Sequence, residues 1–323
     1  MKTKLFLAIF LITIYSNGQS YPGPVGQSGS TAIAGTSTVF KSWATGAVIT
    51  RGPQDIKNPT GPFATVGTAD SAIGTPNGSG VVSLGDGGNA IVTFDKPIMN
   101  GTGYDFAVFE NSFSDTFLEL AFVEVSSDGI NFFRFPSHSQ TQTTTQVGGF
   151  GSVDATYIHN LAGKYKANYG TPFDLSDLDD NALLDKNKIT HVKIIDVIGT
   201  IDPLYATYDS KGNIINELYS TSFPSGGFDL DAVGVINQIE SLAIDDFKEI
   251  ATLSIYPNPV SDVLFIMTDK EYAVAIYDFT GRVVKKSNST NGKQLFVSDL
   301  VSGNYFAEFI VDDQKIIKKI IVK

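Results

Sequence analysis

Short runs of alternating apolar and polar residues, interrupted by turn-forming residues, extend along most of the chain. Alternation with a period of two is typical of β-strands that bury one face. After Trp43 it predicts strands at 90–94, 104–110, 117–125, 132–135, 191–198 and 231–237. No long amphipathic helix separates these runs. The pattern therefore predicts a β-sandwich of the jelly-roll type, and not a parallel α/β sheet.

One helical element interrupts the strands of this region. Leucines and aspartates alternate irregularly between residues 172 and 184. This segment predicts either a single helical turn or an acidic loop that closes one end of the sandwich.

The last seventy residues repeat the alternation in shorter form. Seven strands are predicted, at 253–256, 263–267, 273–278, 282–286, 295–297, 303–311 and 315–322. This number of short strands predicts a small immunoglobulin-like sandwich. Four lysines are expected to protect its strand edges: Lys285, Lys286, Lys318 and Lys319.

The two ends of the chain and the segment between the two sandwiches complete the predicted organisation. Lys2 and Lys4 precede an apolar run at 5–15, and small residues follow up to Gly18. This is the pattern of a secretory signal cleaved after Gly18, and the run is short for a membrane anchor helix. The predicted domains are a signal peptide at 1–18, a jelly-roll-like module at 19–238, a polar linker at 239–251 and a C-terminal domain at 252–323.

The C-terminal domain carries a specific motif. It reads Leu-Ser-Ile-Tyr-Pro-Asn-Pro-Val-Ser-Asp from residue 253, then Ile-Tyr-Asp-Phe-Thr-Gly-Arg from 276, Gly-Asn-Tyr from 303, and Lys-Ile-Ile-Val-Lys at the end. This order resembles the type A sorting domain of type IX secretion substrates in Bacteroidetes. The motif residues are Tyr256, Pro257, Asn258, Pro259, Asp262, Gly281, Gly303 and Tyr305. The resemblance implies recognition by the outer-membrane translocon, removal of the domain, and a protein that is attached to the cell surface or released.

The central module also contains recognisable segments, among them 83–94, 103–111, 119–129, 160–165, 170–175 and 226–234. Their order resembles a group of secreted bacterial surface proteins of unassigned function. Residues 123–132 are similar to the strand–turn–strand of discoidin-like, galactose-binding-like jelly rolls. That similarity implies a carbohydrate-binding or surface-binding fold.

Composition and charge narrow the chemistry. The chain contains no cysteine, so disulfides, thiolate metal sites and cysteine nucleophiles are excluded. Its three histidines, His138, His159 and His191, have no metal-ligand spacing. Residues 19–251 hold 12 Lys and Arg against 26 Asp and Glu, a formal charge of −14, whereas residues 252–323 carry +1. An acidic surface repels phosphate backbones, so nucleic acid is not expected as a partner.

Acidic residues are the candidate functional groups of the module. Side chains alternate along a strand, so Glu119 and Glu124 point to opposite faces and cannot form a glycosidase pair. Asp229 and Asp231 share a face. A calcium site is one interpretation of five residues: Glu110, Asn111, Asp196, Asp229 and Asp231. The alternative is that these side chains cap turns through backbone amides.

The leading hypothesis is a non-catalytic module that binds glycan or another extracellular polymer through loops at one end of the sandwich. Six aromatic residues are candidates for a sugar-stacking platform, although aromatic residues in β-domains are more often core: Trp43, Phe109, Phe113, Tyr165, Tyr169 and Phe173. One alternative is a secreted polysaccharide hydrolase that uses Glu110, Asp229 and Asp231. Another is a structural surface protein or adhesin.

Overall fold

The computed structural model of the chain describes residues 20–239, 253–268, 270–287, 293–311 and 314–323. The chain divides into two compact units, residues 1–240 and 241–323, called here the N-terminal unit and the C-terminal unit. The predicted secretory signal at 1–18 lies outside the described residues, and so do residues 240–251 of the predicted linker.

Short strands make up the regular structure of the N-terminal unit. They are β1 (Ile33–Ala34), β2 (Ser42–Trp43), β3 (Gly46–Thr50), β4 (Val82–Ser83), β5 (Asn89–Ile98), β6 (Phe106–Glu110), β7 (Ala121–Ser126), β8 (Phe133–Arg134), β9 (His138–Ser139), β10 (Ile158–His159), β11 (Tyr169–Phe173), β12 (Ile189–Asp196) and β13 (Asp229–Val235). Three 3₁₀ turns accompany them, at Ala69–Ala72, Ala155–Tyr157 and Leu175–Asp177.

The strands form two main antiparallel sheets. The first has the order β1-β11-β6-β13-β2, with β4 also paired to β13, and the second has the order β3-β5-β12-β7-β8. Strands β9 and β10 form a separate pair. The predicted all-β fold is confirmed.

The main hydrophobic core contains side chains from both sheets. Phe106 and Val108 of β6 and Val123 of β7 belong to it, and all are essentially inaccessible to solvent. The alternate residues of β6, such as Phe109, are also buried, because they pack against Phe40 and Trp43 on the other face of the first sheet. Coverage of both faces explains why β6 has no polar residue before Glu110.

Each of the six predicted strands of this unit overlaps a strand of the structure, but seven strands were not predicted: β1, β2, β3, β4, β9, β10 and β11. Strand β11 contains Gly170 and Pro172, two residues that sequence reasoning associates with strand ends. Pro172 lies beyond the short β1, which pairs only with Tyr169 and Gly170, so its missing N–H leaves no gap in that ladder. The predicted helical turn is the 3₁₀ turn Leu175–Asp177, and the Asp174 carboxylate accepts a hydrogen bond from the Ser176 N–H there.

The described part of the C-terminal unit consists of seven further strands. They are β14 (Ser254–Tyr256), β15 (Val263–Met267), β16 (Tyr272–Tyr277), β17 (Val283–Ser287), β18 (Gln294–Phe296), β19 (Gly303–Val311) and β20 (Gln314–Val322). They form a sheet of order β14-β15-β18 and a sheet of order β17-β16-β19-β20. Each predicted strand overlaps one of them. The four lysines predicted to protect edges lie on the two edge strands β17 and β20, which confirms that prediction.

Asn258 of the sorting motif joins the first turn of this unit to its last strand. Its Nδ2 donates a hydrogen bond to the Lys319 carbonyl at 2.8 Å, and its Oδ1 accepts one from the Ile321 N–H at 2.9 Å. Next to it, the Val260 N–H donates to the Ile321 carbonyl and the Lys323 N–H donates to the Val260 carbonyl. The amide side chain thus continues a short ladder that closes the sandwich.

Other motif residues of the C-terminal unit have local structural roles. Tyr305 is buried and donates a hydrogen bond to the Val301 carbonyl at 2.6 Å. Gly281 has a φ of +83°, a conformation that favours glycine, in the turn between β16 and β17. Tyr256 stacks on Phe265 with ring centroids 5.3 Å apart. The motif residues therefore support the fold of the unit.

We expect Asn258→Ala to destabilise the C-terminal unit by about 1–2 kcal/mol, because it removes two hydrogen bonds to the terminal strand. The measurement is hydrogen–deuterium exchange of β15, β19 and β20 in the full chain. Exchange should accelerate there and stay unchanged in the N-terminal unit. Asn304→Ala, at an exposed position of β19, is the control and should leave exchange nearly unaltered. Equal exchange in the two variants would contradict the proposed role of Asn258.

Candidate functional site

Six carboxylic acids are buried together near one end of the N-terminal sandwich, and we call them the acidic end cluster. They are Asp86, Glu110, Glu119, Asp196, Glu217 and Asp229. The topology places them there. Strand β6 ends at Glu110 and its antiparallel partner β13 begins at Asp229, while β12 ends at Asp196 where its antiparallel partner β7 begins.

The predicted separation of Glu119 from Glu124 is present. Glu119 is only 8% exposed and belongs to the acidic end cluster. Glu124 points to the opposite face, where its carboxylate pairs with Arg134 at 2.8 Å and with Lys193 at 3.7 Å. The two acids therefore have different environments, as the alternation of side chains along a strand requires.

Burial dominates the electrostatics of the cluster. It raises the pKa of Asp86 and of Asp229 to about 6. Burial also raises the pKa of Glu110, Glu119 and Asp196 well above the ordinary values, and neighbouring carboxylates add to the rise in each case. A buried carboxylate loses its hydration, so the charged form is disfavoured.

Backbone amides are the main hydrogen-bond donors to these acids. The two Asp196 carboxylate oxygens accept bonds from Phe228 N–H at 2.7 Å and Gly87 N–H at 2.9 Å. Gly227, the residue before Phe228, has a φ of +73°, a conformation that favours glycine. A Cβ at this position would lie 2.9 Å from Asp196 Oδ1. The glycine-rich segments at 85–88 and 226–227 are therefore needed to wrap the chain around Asp196.

One buried carboxylate oxygen of this region, Glu110 Oε1, has no hydrogen-bond partner within the described residues. The Asp229 carboxylate interacts with the side chains of Ser83 and Asn111, which lower its pKa against the effect of burial. Glu110 uses its other oxygen to accept a bond from the Ser112 N–H at 2.7 Å. Ser83 lies directly opposite Asp229 in the pairing of β4 with β13. Unpartnered buried oxygens are uncommon in native proteins.

The five residues proposed for calcium separate into two places. Glu110, Asp196 and Asp229 belong to the acidic end cluster, and Asn111 follows Glu110 directly. Asp231 has other hydrogen-bond partners, the N–H groups of Asn77, at 3.1 Å, and Gly78, at 2.8 Å, although it is close enough to Glu110 to raise the pKa of that carboxyl. Sequence parity placed Asp229 and Asp231 together, but the register of β13 against β6 shifts between Leu230 and Ala232. Across the described ranges, no three His, Asp or Glu side chains already surround a single point at metal-ligand geometry.

A row of phenylalanine rings lies on the surface of the loops beside this cluster. Phe113, Phe150 and Phe223 are 75%, 79% and 44% exposed. Phe117 connects them: its ring centroid is 4.3 Å from that of Phe113 and 6.5 Å from that of Phe150, which is 5.7 Å from Phe223. We call these four residues the phenylalanine row.

The row differs from the aromatic platform considered from the sequence. Phe109, Tyr165 and Phe173 are buried, as the core interpretation predicted, and Phe113 is the one member of the earlier set that belongs to the row. Phe117, Phe150 and Phe223 were not singled out. Phe150 lies between two glycines and Phe223 between Ser222 and Pro224, and these irregular loop positions were the available signal, since loops run over the protein surface.

The loops that carry the row are anchored to the acidic end cluster. Phe113 and Phe117 lie between Glu110 and Glu119 in the chain, and Phe223 lies between Glu217 and Asp229. Within the first loop, the Ser112 hydroxyl donates hydrogen bonds to the carbonyls of Ser114 and Phe117.

Backbone contacts also join these loops to the one that carries Phe150. The Val153 N–H donates to the Thr116 carbonyl at 2.8 Å, and the Tyr219 N–H donates to the Val147 carbonyl at 3.1 Å. A Cβ at Gly149 would lie 2.3 Å from the Ser220 carbonyl oxygen, so the backbones approach closely there. The three loops therefore form one connected surface.

A separate groove of about 420 Å³ opens elsewhere on the unit. Tyr21, Tyr104, His159, Asn160, Lys164 and Asp177 are among its lining residues. The ring of Tyr21 stacks on His159 with centroids 4.7 Å apart, and its hydroxyl is hydrogen bonded to His138. The pairing of β9 with β10 brings these two histidines together, which their distance in the sequence did not indicate. Lys164 is buried there, and its Nζ donates to the Ile158 carbonyl at 2.7 Å.

Residues 254–323 match the family model of the secretion system C-terminal sorting domain. The match spans β14 to β20, and the resemblance to type IX secretion substrates is thereby confirmed. The C-terminal unit directs the chain to the cell surface through the type IX secretion system. The described residues contain no apolar helix of membrane-spanning length.

Three solved structures are similar to parts of the chain. PorZ, a surface component of the type IX secretion system of Porphyromonas gingivalis, is 17% identical over 29% of this chain and 14% of its own, with a TM-score of 0.21. A β-glucuronidase from Faecalibacterium prausnitzii is 10% identical over 90% of this chain and 46% of its own, with a TM-score of 0.21. The BSP domain of a biofilm-associated protein is 10% identical over 89% and 52%, with a TM-score of 0.18.

The chain spans about half the length, or less, of these three proteins. TM-scores this low do not establish a shared fold, and none of the likenesses assigns an activity to the N-terminal unit. A comparison with curated proteins gives no match.

A chain that ends at Ile250 should not reach the cell surface in a host with a type IX secretion system, because it lacks the sorting domain. Surface labelling of intact cells, together with fractionation of the envelope, measures this. A chain with residues 19–239 replaced by a folded reporter is the control and should still be exported. Equal surface labelling of the full and truncated chains would contradict the assignment.

Lys164 should make stability depend on pH. Burial lowers its pKa to about 8 from the ordinary value of 10.5. Between these two values the unfolded chain binds more protons at this residue than the folded chain, so the free energy of unfolding should rise with pH across that window. Urea unfolding midpoints measure it. Lys164→Met should remove this rise, whereas the exposed control Lys188→Met should keep it; identical pH dependence in both variants would show that Lys164 does not contribute.

Proposed function

We propose that the N-terminal unit is a non-catalytic module that binds neutral polysaccharide outside the cell, and that the phenylalanine row is its contact surface. The observation that carries this proposal is the exposure of Phe113, Phe150 and Phe223 in one connected row on anchored loops. Delivery to the cell surface by the sorting domain places such a surface where extracellular polymers are found.

Exposed aromatic rings suit a ligand with flat apolar faces. A large aromatic side chain left in water loses the burial energy that it gains in a core, so a group of them on a surface indicates a binding site. The faces of pyranose rings carry C–H groups that pack on an aromatic ring, and their hydroxyls remain free to bond with polar loop residues. Thr116 lies exposed in the loop that carries Phe113 and Phe117 and offers such a polar group.

Charge favours a neutral polymer over an acidic one. Residues 19–251 carry a formal charge of −14. A polyanion such as a uronic acid polymer or a nucleic acid would be repelled over distances of about 10 Å at moderate ionic strength. A neutral glycan meets no such barrier.

Burial of the acids supports binding in preference to hydrolysis. A glycosidase needs two carboxyl groups that both reach the scissile bond, roughly 5–10 Å apart. Glu110 and Asp231 are each 1% exposed and Asp229 is 7% exposed, and Asp231 is held by backbone amides of a loop. The acids proposed for the hydrolase alternative therefore face the interior and not an open cleft.

The test compares ring-removing variants on a panel of neutral polysaccharides. We expect Phe113→Ala and Phe150→Ala each to weaken binding about tenfold, which corresponds to the loss of about 1.4 kcal/mol of stacking energy. Affinity electrophoresis and pull-down on insoluble polymers measure this with the chain that lacks residues 1–18. Phe279→Ala, an equally exposed phenylalanine of the C-terminal unit, is the matched control and should bind like the parent.

Two results would overturn the proposal. One is the absence of binding to every neutral polysaccharide of a broad panel. The other is a double variant, Phe113→Ala with Phe150→Ala, that binds like the parent. Light scattering should show the same molecular mass for all variants; loss of self-association in the double variant would instead identify the row as a contact between copies of the chain.

A further inference from the structure

We propose that the acidic end cluster binds one divalent cation of the calcium class, with Glu110 and Glu119 as its carboxylate ligands, and that this cation fixes the loops carrying the phenylalanine row. This cation site does not depend on which ligand the phenylalanine row binds. It can therefore be tested separately from the polysaccharide proposal.

Glu110 and Glu119 reach the same interior space from opposite sheets. Glu110 lies on the face of β6 that carries Phe106 and Val108. Glu119 precedes β7 by two residues, at the alternate position that continues Ala121 and Val123, and it is close enough to Glu110 for that carboxylate to raise its pKa. All four of these apolar residues belong to the core between the sheets. Side chains two residues apart point the same way, so both glutamates point into the end of that space.

The cluster contains six buried carboxyl groups without a matching cation. None of its six acids forms an ion pair with a Lys or Arg of the described residues, and Arg51 acts only on Asp229, by lowering its pKa against the effect of burial. Several buried carboxylates without a counterion are strongly unfavourable. A bound divalent cation would remove this cost.

An unpartnered oxygen provides the second and independent observation. Glu110 is 99% buried, and its Oε1 has no hydrogen-bond partner within the described residues. Asp229 differs, because the side chains of Ser83 and Asn111 interact with its carboxylate and lower its pKa against the effect of burial. The free oxygen of Glu110, inside a group of acids, indicates that a ligand supplies the missing contact.

The donor types select the class of cation. The cluster offers carboxylate oxygens with the Ser83 hydroxyl beside them, and no member of it is a histidine. Calcium takes six to eight oxygens in irregular geometry, whereas zinc favours nitrogen and sulfur ligands. Two glutamates, with other oxygens to complete the shell, fit calcium and do not require three acids around one point.

The site would act on the loops through the chain itself. Glu110 and Glu119 are the two ends of the segment that holds Phe113 and Phe117. A cation between the two carboxylates would therefore close this segment at its base. The Glu110 carboxylate also accepts the Ser112 N–H, and the Ser112 hydroxyl holds the turn that contains Phe113.

Calorimetric titration and thermal unfolding of the chelator-treated chain at pH 7 test the proposal. Calcium chloride should bind at one site and raise the melting temperature of the N-terminal unit by at least about 4 °C over the value in EDTA. Hydrogen exchange in residues 111–120 should slow on binding. No heat and no shift with calcium, magnesium or manganese would overturn the proposal and would indicate that protons alone neutralise the cluster.

Matched glutamate variants locate the site. Glu110→Gln should weaken calcium binding at least about tenfold, and in EDTA it should melt above the parent because a buried acid is replaced by a neutral amide. Glu124→Gln, on the opposite face of β7, should bind calcium like the parent. Glu119→Gln repeats the test if Glu110→Gln does not fold. Unchanged calcium affinity in a folded glutamate variant of the cluster would refute the assignment of the ligands.

Discussion

Burial of carboxylates at one end of the sandwich is the constraint on which the N-terminal unit depends. A buried carboxylate that has lost its water needs other hydrogen-bond donors. Here the donors are backbone N–H groups of the loops, and these hydrogen bonds fix the conformation of the loops. The segments around Gly87 and Gly227 run close to Asp196 for this reason. The close approach of these segments to Asp196 leaves no room for a Cβ at Gly227. The buried acids and the glycine-rich loops therefore depend on each other.

The same constraint positions the exposed surface. A phenylalanine row on unanchored loops would tend to collapse onto the nearest apolar surface, because exposed aromatic area is unfavourable in water. Here the loop of Phe113 starts and ends at buried glutamates, and the loop of Phe223 lies between Glu217 and Asp229. The buried acids keep the rings in place while contributing no surface of their own.

Much of this could be predicted from the sequence, and the exceptions have physical causes. The period of two predicted six of the thirteen strands described in the N-terminal unit and all seven described in the C-terminal unit, and it separated Glu119 from Glu124. The alternation of side chains predicted that Asp229 and Asp231 share a face. The register of β13 against β6 shifts between them, so the two carboxylates have different partners. Such a bulge cannot be recognised in the hydrophobic pattern. The phenylalanine row was not predicted, because the sequence does not distinguish a buried phenylalanine from an exposed one. The exposure of these rings depends on how three loops that are distant in the sequence pack together.

The C-terminal unit shows why its motif combines residues from both ends of the domain. Asn258, in the first turn, supplies the hydrogen bonds that Lys319 and Ile321 would otherwise lack at the end of β20. Loss of either end would remove these hydrogen bonds, so the first turn and the last strand stabilise each other. The acids and the phenylalanine rings that we propose as ligand-binding groups all lie in the N-terminal unit. Cleavage of the C-terminal sorting domain would therefore leave all of them in the protein.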